Sequence, residues 1–146
     1  MDHELLEPPL CVSNNLHRAA RTVTRIYADE MAPFGLQRSQ FGVLTMLALS
    51  GEATLQDVAD RLDMDKTTVS RTIKPLLVRG LVATRPNAND GRSKLMNLTE
   101  AGTALYEEAV VGWRRAQRRV VGAFGETRWR ALFGELEALR ETVQAE

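Results

Sequence analysis

Three residues, Asp63, Met64 and Asp65, separate two stretches whose apolar residues recur at helical spacing, and the second stretch runs on into a hairpin. A link that short forces the two helices to cross steeply. Thr54 stands at an N-cap position and Asp57, three residues on, can reach back to its amide in a variant of the capping box. Leu55, Val58, Ala59 and Leu62 then share one face. In the second stretch Asp65 is placed to cap, and Val69, Ile73, Leu76 and Leu77 form the buried stripe. Pro75 falls inside this helix, where it removes the amide bond to the Arg71 carbonyl; a kink that re-aims Lys74 and Arg79 is expected. Residues 81–85 and 93–98 read as two antiparallel strands, joined through Pro86 and the turn formers Asn87, Asn89, Asp90 and Gly91.

Charge singles out the same segment. The chain carries 19 Lys and Arg against 19 Asp and Glu. From Arg61 to Lys94, however, eight basic residues face three acidic ones, while four face eight before this segment and seven face eight after it. Binding to a polyanion depends on where charges sit, so the segment is expected to meet it and the flanks to face away. The outer side of the second helix holds Lys66, Thr67, Thr68, Ser70, Arg71 and Lys74. Short hydroxyls permit close approach to a DNA major groove, Arg and Lys can fork onto guanine, and the helix N-terminus favours phosphate. At the hairpin, Arg92 suits a minor groove and Lys94 adds charge. Asp90 is placed either to hold the Arg92 guanidinium for DNA or simply to stiffen the loop as an ion pair. The reading is a DNA-binding winged helix-turn-helix. Two alternatives stay open: a solvated polar face, and a winged helix that docks proteins without DNA.

The chain resembles the MarR family of bacterial transcription regulators. The resemblance rests on TLQDVADRLDMDKTTVSRTIKPLLVRGLV, on the D-x-R of the wing within NDGRSK, and on the exit into a helix through LTEAGTAL; it extends from the helix around Leu16 to Val143. It implies a mainly α fold with a small β wing in a single MarR-like domain, residues 1–146. Residues 38–98 would be the winged helix-turn-helix DNA-binding lobe, with dimerisation helices at 13–32 and 100–146. It also implies a homodimer on double-stranded, pseudo-palindromic operator DNA, and repression relieved by a ligand, although activation suits the same residues. A small aromatic or anionic effector would enter between the dimer helices and the lobe, near His17, Arg21, Phe34 and Trp113. Organic-hydroperoxide regulators of the family carry a reactive cysteine near the first helix, and Cys11 lies in that neighbourhood, which makes a thiol-based sensor an alternative. Aligned on Tyr27 and Leu36, Ser13 takes the reactive position instead, and the first basic residue after Cys11 is Arg18, beside His17.

Outside the segment the pattern is helical. Leu16, Ala20, Val23, Tyr27 and Met31 form one stripe, and Phe41, Leu44, Leu47 and Ala48 a second that stops at Gly51. Thr99 can cap a long helix expected to bury Leu105, Ala109, Trp113, Ala116 and Val120, with Arg114, Arg115, Arg118 and Arg119 on its solvated side and phosphate contact as their alternative role. After Gly125 a last helix presents Trp129, Leu132, Phe133, Leu136, Leu139 and Val143. That broad apolar stripe has little chain left to pack against, which points to a second subunit, with the chain's own core the alternative for part of each stripe.

A chain of 146 residues, 44% of them hydrophobic, can build an ordinary core without disulfides or a metal. His3, His17 and Cys11 are too few for a closed zinc site, and no glycine loop cradles phosphate. Asp63 and Asp65 read as turn and cap residues, and Ser70 has no neighbouring base, so neither an enzyme nor a cofactor is expected. No apolar run approaches the roughly 20 residues of a membrane span, and MDHELLEPPL lacks the sections of a signal peptide, which points to the cytoplasm.

Overall fold

Leu44, Leu47, Leu76, Val43, Val58 and Val69 are sealed from solvent and fix the centre of the fold. Each of the leucines is worth roughly 2 to 3 kcal/mol of burial. A computed structural model describes residues 2–144. Two short 3-10 turns, His3–Leu6 and Pro8–Leu10, precede α1, Val12–Met31; a third, Ala32–Phe34, leads into α2, Arg38–Ser50. There follow β1, Glu52–Thr54; α3, Leu55–Leu62; α4, Lys66–Val78; β2, Val82–Pro86; β3, Lys94–Leu98; α5, Glu100–Phe124; and α6, Glu126–Gln144. Packing divides the chain into one unit, Tyr27–Trp113, and a second formed by the two chain ends, up to Ile26 and from Arg114.

Within the first unit α2 is the central rod. It packs against α3, α4, β1 and β3, so its apolar residues do not form one stripe. Val43, Leu44, Met46 and Leu47 are all buried, whereas Ala48, expected inside, is exposed. Even Gln40 is buried, its Oε1 accepting the Gln37 amide at 2.9 Å. Val58 and Ala59 of α3, Val69, Ile73 and Leu76 of α4, and Leu81, Val82 and Met96 of the hairpin complete this core.

The sheet has three antiparallel strands in the order β1-β3-β2, one more than expected. Its register pairs Ala53 with Met96 and Val82 with Leu98. The expected hairpin strand at 81–85 is displaced by one residue. Leu81 closes α4 instead, its amide bonding the Leu76 carbonyl at 2.9 Å beside Gly80 N–H to Leu77 O at 3.0 Å, a Schellman closure with Gly80 at φ 68°. Pro86 thereby joins β2, opposite Lys94; on an edge strand its missing amide leaves no ladder bond unmade.

The α5 helix starts as expected. The Thr99 hydroxyl accepts the Gly102 amide at 3.0 Å and itself donates to Gly80 O at 2.6 Å. Of the expected stripe Ala109 and Ala116 are buried and Leu105, Trp113 and Val120 only partly so, while Gly102 and Gly112, outside that stripe, are buried as well. In the second unit α6 contains no buried residue, and Phe133 and Val143 are 54% and 64% exposed. Leu16 and Val23 of α1 are also exposed.

A Cβ at position 102 would overlap the Leu81 carbonyl oxygen and lie 2.8 Å from its carbon, both backbone atoms that cannot step aside. Gly102→Ala is therefore expected to lower stability to urea by about 3 kcal/mol, the upper end of overpacking costs. Gly134→Ala, in open space within α6, should raise it by up to about 1 kcal/mol through helix propensity.

Candidate nucleic-acid interface

Both helix starts are held as the sequence predicts. The Thr54 hydroxyl accepts the Asp57 amide at 3.1 Å, and the Asp57 carboxylate accepts the Thr54 amide at 2.8 Å and its hydroxyl at 2.7 Å. Asp65 accepts the Thr68 amide at 2.9 Å and the Thr68 hydroxyl. These bonds, to the Thr54 hydroxyl first for Asp57 and to the Thr68 hydroxyl first for Asp65, hold both carboxyls below the ordinary range. Between the helices Asp63 adopts the left-handed conformation, φ 49°, and half-buried Met64 packs against the core. Asp tolerates this region better than most side chains do.

With Val69, Ile73 and Leu76 turned inward, α4 exposes Lys66, Thr67, Thr68, Ser70, Arg71 and Lys74. The helix runs through Pro75 to Val78. Leu77, expected in the buried stripe, is 38% exposed and lines the outer groove. Arg79 does not turn toward that groove. Its guanidinium donates to the carbonyls of Gly35 at 2.8 Å and Phe34 at 3.1 Å.

Beside α4 stands the hairpin. Glu52 of β1 and Arg85 of β2 form a two-pronged ion pair, 2.7 and 2.6 Å, across the base of the sheet. The Arg85 bond lowers the Glu52 pKa, and Glu52 raises that of Arg85. At the tip, Asn87 Nδ2 donates to Ser93 Oγ at 2.9 Å. Asp90 does not hold the Arg92 guanidinium: its Oδ1 accepts the Arg92 backbone amide at 3.1 Å, an Asx turn that shapes the loop and leaves the guanidinium outside it.

A groove of about 850 Å³ lies between α4 and the hairpin. Lys66, Ser70 and Lys74, four residues apart and hence on one helix face, line it together with Asp90, Arg92 and Lys94. Ile73 and Met96 contribute apolar surface to it, and Thr54, Gln56, Thr84, Asn87 and Ser93 add polar groups that the sequence reading omitted. Thr67, Thr68 and Arg71 lie on the exposed surface of α4 but do not line the groove. Among the described residues no carboxylate forms an ion pair with Lys66, Arg71, Lys74, Arg92 or Lys94.

The other candidates fall in both units. In the 27–113 unit, Phe34 and Trp113 are partly buried against the core. In the other unit, His17 bonds its own helix, Nδ1 to the Ser13 carbonyl at 2.8 Å, and Arg21 lines an open hollow with Arg18, Asn14 and Asn15. Cys11 is a half-buried free thiol just before α1. Among the described residues no cluster of metal-ligating side chains occurs, and no helix is long and apolar enough to cross a membrane.

Comparison with known proteins converges on one group. The MarR family model matches residues 34–93. The HTH-type transcriptional regulator YwoH of Bacillus subtilis is 32% identical over 111 residues, covering 76% of this chain and 80% of that protein. Among solved structures, the Mycobacterium tuberculosis transcriptional regulator MosR, in complex with DNA, superimposes with a TM-score of 0.82 at 30% identity, over 92% of this chain and 97% of MosR. BpsR of Bordetella bronchiseptica, whose DNA binding is regulated by 6-hydroxynicotinic acid, superimposes with a TM-score of 0.80 at 29% identity, over 88% and 98% of the two chains.

The caps give the helix pair an acid-sensitive component. A carboxyl whose pKa is depressed on folding contributes stability that is fully present above its unfolded value, about 3.9 for Asp, and is lost as pH falls through the folded value. Asp57→Asn and Asp65→Asn should each reduce stability at pH 7, and their deficit relative to the parent protein should shrink as pH falls below about 4. Urea unfolding at pH 7 and pH 3 measures the difference.

Proposed function

The chain belongs to the MarR family and is a DNA-binding transcriptional regulator, and on that premise we propose that it acts as an effector-responsive homodimeric repressor. The observation that carries the DNA contact is the cationic groove, where Lys66, Lys74, Arg92 and Lys94 surround one cleft with no carboxylate among the described residues salt-bridged to them. In this reading α4 enters a major groove. Lys66 and Lys74 meet phosphates or guanine edges, Thr67, Thr68 and Ser70 make the short hydroxyl contacts, and Arg71 reads a base from the side of the helix. The wing lies alongside, Arg92 reaching a minor groove and Asp90 holding the loop in shape for it.

Dimerisation is supported by the exposed apolar residues of α1 and α6, among them Leu16, Val23, Phe133 and Val143. A two-fold pair would set its α4 helices in successive major grooves, about 34 to 36 Å apart, and prefer a pseudo-palindrome. The effector is proposed to be a small aromatic acid, the chemical class of the molecule that regulates the Bordetella relative. It would shift the population toward a form that matches the two grooves poorly. Such a protein acts on the genome in the cytoplasm.

Duplex affinity is expected to fall linearly with the logarithm of salt concentration. Lys74→Ala should weaken binding to all sequences alike and make the slope shallower by roughly 0.9, the loss of one phosphate contact. Arg71→Ala should relax preference at one base pair by about 1 to 3 kcal/mol. Titrations of labelled duplexes at several salt concentrations measure both. Unchanged low-salt binding in Lys74→Ala, Arg71→Ala and Arg92→Ala alike would remove these residues from the interface.

A further inference from the structure

The last turn of α4 is poorly fastened by its own side chains. Leu76 is its final buried residue, Leu77 is half out, and Val78 is 81% exposed. Pro75 cannot donate to the Arg71 carbonyl, so the helical ladder lacks a bond one turn before the end. At this point Arg79, the C-cap residue, reaches 44 residues back in sequence to bond Gly35 O at 2.8 Å and, through its other terminal nitrogen, Phe34 O at 3.1 Å.

Those acceptors belong to a rigid turn. Gly35 is left-handed at φ 61° and its amide bonds Ala32 O at 3.0 Å, while Met31 and Leu36 on either side are buried. α5 closes on the same turn. A Cβ on Gly112 would lie 2.8 Å from both Glu30 O and the Phe34 ring, so backbone and ring approach as closely as a missing side chain allows. The carbonyls at the end of a helical segment have no partner along the chain and sit at its negative pole, where a guanidinium fork fits well.

We propose that Arg79 is a positioning residue for DNA recognition, tying the C-terminal end of α4 to the turn at Phe34 and Gly35 and so setting the angle at which α4 meets the duplex. At 1.5 Å per residue Lys66 lies about 20 Å along the helix from Arg79. A tilt of about 5° at the anchor displaces the Lys66 end by nearly 2 Å, enough to break a hydrogen bond to DNA. This assignment rests on DNA binding by the groove, and the duplex-binding parent protein serves as its reference.

The test compares the parent protein, Arg79→Lys and Arg79→Ala on a duplex selected by the parent protein from a random library. Titrations at several salt concentrations are paired with thermal unfolding. Arg79→Lys keeps the charge and loses the fork. Both variants should bind about tenfold more weakly with an unchanged salt slope. Wild-type affinity in Arg79→Lys would show that charge alone matters and overturn the proposal. A slope shallower by roughly 0.9 would make Arg79 a phosphate contact, and a lowered melting temperature with unchanged affinity would make it merely structural; either result overturns it. A parent protein that selects no duplex overturns the DNA reading itself, and with it this one.

Discussion

Burial of Val69, Ile73 and Leu76 against α2 decides which side of α4 the solvent sees. Those three residues sit at spacings of four and three, so inserting them into the core leaves no freedom to rotate the helix about its axis. Lys66, Ser70 and Lys74 are outward because Val69, Ile73 and Leu76 are inward. The caps at Thr54 and Asp65 and the left-handed Asp63 fix where each helix of the pair begins and how sharply the chain turns. None of these features carries the positive charge of the surface. They aim it.

The wing is aimed by a different kind of interaction. β3 is paired on both sides, and the Glu52–Arg85 fork spans the sheet from one edge strand to the other. This contact changes the charge count of the segment in a useful way. Arg85 is matched by an acid from outside the hairpin, whereas Arg92 and Lys94 at its far end have no salt bridge among the described residues. Asp90, the one acid among the described residues that line the groove, spends an oxygen on backbone geometry. The local excess of cations seen along the sequence is thereby concentrated around one cleft.

Much of this was legible because it is local. A cap and its amide lie three residues apart, and the face shared by Lys66, Ser70 and Lys74 follows from helical period alone. What escaped was set by distant chain. β1 is three residues long and is a strand only because Asn97, Met96 and Leu95 pair with it. Leu77 is apolar at a position the core does not reach, so periodicity extended the buried stripe one residue too far. α2 is enclosed from several sides, which blurs its period, and α5 buries Gly102 and Gly112 where a pattern search looks for large residues. Arg79 had the composition of a groove cation, but its acceptors are backbone carbonyls, which carry no signature in the amino-acid sequence.

The central claim is that a duplex seats in the cleft between α4 and the wing. Backbone amide chemical shifts of the isotopically labelled protein, recorded as a selected duplex is added, test this directly. Shifts concentrated at Lys66, Ser70, Lys74, Arg92 and Lys94, with α6 little changed, are the predicted result. A duplex that binds while leaving those residues unmoved and perturbing another surface would contradict the account.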